Sequence, residues 1–366
     1  MTDATNSRRD LLKAGGAAFA GAVLGIGGWE ASRAWRADES GHRKAEQGNA
    51  EGAANGAGNL QAAQRDKPLA SALPAIIDVH VHAVSVNLSG RPEDVDSEPD
   101  VRVGPVEQVA KAIGAQLKEG HVEHALCMPT RGHGGSDVLG VERTRQLAKR
   151  VPGLHPIGLA DPERFDEEHL ARVDEELARG DVVAFKAYLG YLHFGPDAPG
   201  YRPYYKLAAK HNIPVIFHTG DTWSHLARLK YAHPLPIDDV AVDFPDTNFV
   251  LAHLGNPWLM DAAELIYKNN KTGERENVWA DLSGILVGTA EDFANSRRSG
   301  SLQHVIDDVR KAIEFAERPD RFLFGSDWPL APFAVYRDFV AELIPPDWHQ
   351  AVFYDNAKKL FRLTSP

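Results

Sequence analysis

The chain has 366 residues, enough for one large domain or two ordinary ones, with 43% hydrophobic and 25% charged residues, a composition usual for a soluble globular protein. A formal net charge of −11 with no basic block argues against a phosphate-backbone partner, so no nucleic acid is expected. The single cysteine, Cys127, rules out an intramolecular disulfide and sits in an apolar run, HALCMP, where a plain core residue is the ordinary reading.

The first 34 residues read as an address. Ser7-Arg8-Arg9-Asp10-Leu11-Leu12-Lys13 precedes a Gly/Ala-rich run from Ala14 to Gly28, and a paired arginine ahead of a short, weakly apolar segment resembles a twin-arginine export signal. A basic amphipathic helix is the alternative, but Gly15, Gly16, Gly21, Gly25, Gly27 and Gly28 would make it a poor one. Ser32 and Ala34 are small enough for cleavage after Ala34; left uncleaved, the segment would tether the protein to a membrane. The expectation is export of a folded protein by the twin-arginine machinery to the periplasm or an equivalent extracytoplasmic space. Residues 35–74 are rich in Gly, Ala, Asn and Gln and lack aromatics after Trp35, too little apolar surface to offset the entropy of ordering, so a flexible linker is expected.

From residue 75 to 366 short apolar runs alternate with amphipathic stretches. The runs are AIIDVHVH (75–82), HVEHALCMP (121–129), LHPIGLAD (154–161), DVVAFKAYLG (181–190), PVIFHTG (214–220), NFVLAHLG (248–255), NVWADLSG (277–284) and RFLFGSDWP (321–329). Eight βα units of this size predict an α/β fold, one (β/α)8 TIM-type barrel. A doubly wound sheet would place a Gly-rich turn after its first strand, where this chain has His-Val-His.

Alternation along the first strand puts Ile76, Asp78, His80 and His82 on one face, expected inward, and Ile77, Val79, Val81 and Ala83 on a helix-packed outer face. Later strands also turn polar at their C-terminal ends, with Lys186, His218, His253 and Asp327, and barrel active sites form at that rim. Each residue has an ordinary reading alone: a hydrogen-bonded core histidine, or an aspartate capping the next helix. Together they point to one site. His80 and His82 would lie about 7 Å apart on one face, and with His218 and Asp327 they suit Zn2+ or another divalent transition metal.

The set IIDVHVH, FKAYLG, IFHTGD, VLAHLGNPW, WADLSG and LFGSDWP, closed by YDNAKKLFRL, resembles the amidohydrolase superfamily, in the branch that includes aminocarboxymuconate-semialdehyde decarboxylase. The resemblance spans roughly Pro74 to Leu363. It implies one metal ion held by His80, His82, His218 and Asp327, with His253 beside the attacking water or the substrate carbonyl and Asp327 as the second catalytic group. It leaves Lys186 with two roles: an amine that binds substrate, or a carbamate bridging a second ion. One ion is the expectation. Arg131, Tyr188, Trp223 and Trp328 are candidate substrate contacts, as is His133 in the same loop as Arg131; Asp78, Asp221 and Asp281 are expected to support the ligands.

The expected activity is hydrolysis of a small carbonyl substrate (amide, ester or lactone) by metal-activated water. The rival is metal-dependent non-oxidative decarboxylation of an aromatic or enoic acid, which a second cation near the metal would favour. A third reading, from another class, is a non-catalytic exported metal- or ligand-binding protein. The partner is a small molecule in each case, and the sequence is equally compatible with a monomer and a homo-oligomer.

Overall fold

The computed structural model describes residues 73–83, 104–131, 136–271 and 276–364. The expected export segment 1–34, the linker up to residue 72 and His133 lie outside the described residues.

Eight parallel strands are present among the described residues. They are β1 (Ile76–Val81), β2 (Val122–Cys127), β3 in two pieces (Leu154–Pro156 and Gly158–Leu159), β4 (Phe185–Ala187), β5 (Val215–Phe217), β6 (Phe249–Leu251), β7 (Val278–Asp281) and β8 (Phe322–Leu323). All ladder contacts between neighbours are parallel. The break in β3 follows Pro156, which has no N–H for a ladder. The first piece pairs with β2 and the second with β4, while Ile157 between them still donates to Cys127 O at 3.0 Å.

The sheet closes on itself. Val79 N–H donates to Phe324 O at 3.0 Å, Asp327 N–H to His80 O at 2.8 Å and His82 N–H to Trp328 O at 2.7 Å, and Val81 forms a parallel bridge with Trp328. The eighth strand region is thus hydrogen-bonded to the first, which leaves no open edge. The (β/α)8 barrel expected from the run pattern is what the chain builds.

The helices are α1 (Val106–Gly120), α2 (Glu142–Ala148), α3 (Glu167–Leu177), α4 (Arg202–His211), α5 (Leu229–Ala232), α6 (Ile237–Asp243), α7 (Leu259–Asn269), α8 (Ala290–Ser299), α9 (Ser301–Ala316), α10 (Phe333–Leu343) and α11 (Asn356–Phe361). Their ends follow local chemistry. The Asp166 side chain accepts the His169 N–H at the start of α3, and Thr289 with Asp292 forms a reciprocal capping box on α8. Helix α1 buries Val109, Ile113 and Leu117, four residues apart, against the outer faces of β1 and β2. No helix among the described residues is long and apolar enough to cross a membrane.

Inside the barrel, Ile77, Leu126, Ile157, Ala184, Ile216, Val250, Trp279 and Leu323 pack in one cluster, one residue from each strand region. The same cluster includes Ala357, Leu360 and Phe361 of α11. Phe361 also lines a cavity with Leu154, His155 and Ile213, at the start of β3 and just ahead of β5. Helix α11 therefore plugs the N-terminal mouth, and the opposite rim is left for chemistry.

Strict alternation on β1 is not what the structure shows. Ile77 and Val79 face the barrel interior, while Val81 and Ala83 pack outward against α1. The pairing of β1 with β2 shifts register between Asp78 and Val81. Such an irregularity changes the phase of side chains along a strand, so the apolar residues expected on one outer face divide between both.

Candidate active site

The bond that closes the barrel also assembles the site. Asp327 lies in the turn after β8 with φ +58°, and its N–H donates to His80 O. That bond brings its carboxylate to the two histidines of β1: Oδ1 lies 3.2 Å from His82 Nε2 and 3.7 Å from His80 Nε2. Ligand atoms around a tetrahedral ion with bonds of ~2.1 Å stand ~3.4 Å from one another. Both distances to the carboxylate oxygen are near that spacing, and His80, His82 and Asp327 form a metal-competent group.

Asp281, at the end of β7 and fully buried, organises what surrounds that group. Its Oδ2 accepts from His80 Nδ1 at 3.0 Å, which orients the imidazole with Nε2 towards Asp327. Its Oδ1 accepts the backbone N–H of His253 at 3.0 Å, the N–H of Ser283 at 3.0 Å and the Ser283 hydroxyl. His253 itself sits just after β6 with φ +60°, a left-handed conformation unfavourable for a non-glycine residue. The Asp281 bond holds it there. Asp78 supports the backbone rather than an imidazole, accepting from the N–H groups of His80 and Ser326 at 3.0 Å each.

Burial sets the protonation states. It pushes His80 down to about 3, helped by the Lys186 charge, and it holds His218 well below its ordinary value, with His253 and Lys186 adding to the effect. Burial alone would raise the Asp327 carboxyl, but the His82 hydrogen bond and the field of His80 and His253 outweigh it and hold Asp327 below the usual carboxylate range. Asp281 is held low in the same way, mainly by His80. His80 and His218 are therefore neutral imidazoles and Asp327 and Asp281 ionised carboxylates, the forms that bind a cation.

His218 is buried beside this group. Its ring lies 5.1 Å from that of His253 and 4.7 Å from that of Tyr191, both edge-on, and its Nε2 contacts Asp221 O at 3.1 Å. It stands next to the His80–His82–Asp327 group, not within its ligand spacing. Lys186 is 1% exposed, and its Nζ has no hydrogen-bond partner among the described residues. The ammonium lies 5.4 Å over the Tyr188 ring, and burial pushes it down to about 8 against the pull of Asp281 and Asp327.

The expected substrate contacts fare differently. Arg131 is already engaged: Nε and Nη2 bond Asp161 at 3.2 and 3.3 Å, and Nη2 also bonds Glu163. Tyr188 donates its hydroxyl to Pro129 O at 3.0 Å. Trp223 lies half-buried after β5 and donates its N–H to the Tyr191 hydroxyl at 2.9 Å. Trp328 packs away from the group. It is buried on the helix side of β1, stacked on Phe333 at 5.9 Å and packed with Val81 and Val109, because the strand pairing that turns Asp327 inward turns its neighbour outward.

Three residues of the site were not singled out from sequence. Ser283 Oγ touches His80 Nδ1 at 3.0 Å and His253 Nδ1 at 2.9 Å. Tyr191 bridges the His218 ring and the Trp223 backbone. Gly284 has φ +58°, and a Cβ there would stand 2.6 Å from His253 Nδ1 and 2.8 Å from Asp327 Oδ2. The signal for two of them was the Asp-x-Ser-Gly run ending β7; Tyr191 carries none beyond its position after the β4 Gly190.

Comparison with known proteins agrees with this architecture. An uncharacterised TIM-barrel protein of Bordetella bronchiseptica superimposes with a TM-score of 0.50 and 22% identity over 70% of this chain and 83% of its own. A probable 2-pyrone-4,6-dicarboxylic acid hydrolase of Acinetobacter baumannii, with citric acid bound, gives 0.54 and 15% over 79% and 100%. The 5-carboxyvanillate decarboxylase of Sphingomonas paucimobilis gives 0.53 and 14% over 79% and 100%. At these identities the likeness is one of fold. Among curated proteins none matches the sequence. The family model for amidohydrolases matches residues 77–363, from β1 through the C-terminal plug, and the chain belongs to the amidohydrolase family.

Proposed function

We propose that this enzyme is a metal-dependent hydrolase of a small amide, ester or lactone. The observation that carries the reading is the division of labour on Asp327: Oδ1 turns to His80 and His82, while Oδ2 turns to the space beside Gly284 and the edge of His253. This supports a reading in which one oxygen serves a metal and the other moves a proton.

His80 Nε2, His82 Nε2 and Asp327 Oδ1 would hold the ion, with His218 as the fourth protein ligand and one ion in all. Zn2+ or another divalent transition metal, when bound, supplies Lewis-acid polarisation of the substrate carbonyl and lowers the pKa of water towards neutrality. The protein's own groups do the rest. Asp327 Oδ2 accepts the proton of the attacking water and returns it to the leaving oxygen or nitrogen, so that water's O–H and the acyl bond are exchanged without redox change. His253 has Nδ1 beside the Ser283 carbonyl at 3.1 Å, which makes that nitrogen the donor and, in the neutral ring, leaves Nε2 an acceptor. Of its two expected roles, orienting the water is the one this tautomer performs.

The test is metal content by elemental analysis together with turnover of an ester, lactone and amide panel, with and without chelator. His82→Ala and Asp327→Ala should each lose the ion and at least ~10³-fold in kcat/KM. Wild-type metal content in the double variant would sink the assignment.

A second reading, decarboxylation of an aromatic or enoic acid, is supported by Lys186. A buried ammonium without a hydrogen-bonding partner is costly, and a substrate carboxylate would supply one. Arg131, the other cation expected near the site, is already paired with Asp161 and Glu163. CO2 release from benzoate-type or enoic acids, with no hydrolysis of the panel, would decide for this chemistry. Export through the twin-arginine route to the periplasm remains part of the proposal and rests on Arg8, Arg9 and the Gly/Ala run that follows.

A further inference from the structure

Ser283 stands where three members of the site meet. Its hydroxyl lies 3.0 Å from His80 Nδ1 and 2.9 Å from His253 Nδ1, and it also contacts Asp281 Oδ1. The protons follow from the partners, because a carbonyl and an ionised carboxylate only accept. The Ser283 carbonyl, 3.1 Å from His253 Nδ1, favours a hydrogen on that nitrogen. Asp281 Oδ2, 3.0 Å from His80 Nδ1, does the same for His80. The one hydrogen of the Ser283 hydroxyl then has Asp281 Oδ1 as its acceptor, and its lone pairs face both imidazole N–H groups.

We propose that Ser283 is a positioning residue that couples His80 and His253 in a single tautomer, Nδ1–H on both rings and Nε2 left as a lone pair on both. The inference rests on the reading of His80 as a metal ligand and His253 as the group that orients water. Each Nδ1–H is cradled by two acceptors, one of which is the shared hydroxyl. Flipping either ring to the other tautomer would set lone pair against lone pair in a buried place. The fold keeps the hydroxyl there by close approach. A Cβ on Gly325 would stand 2.9 Å from His80 Cβ and 3.0 Å from Ser283 Cβ, so only a glycine lets the turn after β8 press the two together.

Long-range 1H–15N spectra of the metal-free protein report the histidine tautomers, with signals assigned through His80→Gln and His253→Gln. Wild type should show Nδ1–H forms for both rings. In Ser283→Ala each cradle falls to one acceptor. An Nε2–H population should appear on His253, which is left with only the 3.1 Å carbonyl contact, and the Zn2+ dissociation constant should rise ~10-fold. Ser283→Cys keeps the volume but replaces the hydroxyl with a weak acceptor; it should behave the same way and serves if the alanine variant does not fold. Pure Nδ1–H forms on both rings in the folded variant, or a Zn2+ dissociation constant within twofold of wild type, would overturn the proposal. Because the tautomers are read without metal, failure of the wild type to bind Zn2+ would count against the metal reading alone.

Discussion

Two residues carry the sharpest expectations. Gly284 has φ +58° and no room for a side chain against His253 and Asp327. Gly284→Ala should therefore displace the proton-handling groups rather than unfold the barrel. A fall in kcat/KM of about 10²-fold with native circular dichroism is expected; unchanged kinetics would remove Gly284 from the site. Lys186 sits buried with no hydrogen bond among the described residues, so Lys186→Met should raise the melting temperature of the metal-free protein, by the equivalent of about 1–2 kcal/mol. The same variant should raise KM for anionic substrates more than for neutral ones, and a destabilised variant would show that the ammonium is compensated. His80, His82, His253 and Asp327 were legible as a group because the C-terminal ends of barrel strands converge on one rim, so polar residues recurring there share a site. Ser283 was not, since a serine after a strand is ordinary until the fold brings His80, about 200 positions away, against its hydroxyl.

At the scale of elements, the pattern of eight runs was readable because each strand of a parallel barrel is buried on both faces and so reads as continuous apolar sequence. What escaped was phase. The register shift in β1 and the break of β3 at Pro156 depend on pairing with neighbours, which no single run encodes. The β2–β3 ladder also creates a pH dependence. His124 Nδ1 lies 2.9 Å from His155 Nε2; burial pushes His155 down to about 4, with His124 adding to the effect, and burial lowers His124 as well. Both rings are held neutral in the fold, whereas the unfolded chain takes up protons near pH 6.5. The unfolded state thus binds more protons between about pH 4 and 6.5, and stability should rise with pH through that window. Urea titrations of His155→Gln should give a shallower slope there than wild type, the difference staying well below the ~1.4 kcal/mol per pH unit of one fully linked proton because the pair is partly exposed. Parallel slopes would show that the pair is not linked to folding.

For the whole molecule, the barrel has two mouths with different tasks. Helix α11 closes one with Leu360 and Phe361, and the metal-competent group lies at the other. Leu360→Ala should cost about 2–4 kcal/mol by leaving a cavity in the plug, while metal affinity and KM stay at wild-type values. A loss of metal in this variant would mean that the two mouths are coupled. The export reading is separable from all of this: replacing Arg8 and Arg9 together by lysine should leave the folded, active enzyme in the cytoplasm. Unchanged secretion of that variant would refute a twin-arginine route.

The order of the elements and the barrel were legible in the sequence alone, as were the residue types of the metal-competent group. Burial and strand polarity are local signals that survive without knowledge of partners. The tertiary structure decided which of those residues meet. It turned Asp327 inward and Trp328 outward, committed Arg131 to Asp161 and Glu163, left Lys186 without a hydrogen bond among the described residues and set Ser283 between two histidines. These outcomes depend on the register with which β8 closes against β1 and on the left-handed turns at His253 and Asp327. Hydrogen bonds to residues far away along the chain hold both, and such contacts exist only once the barrel has closed.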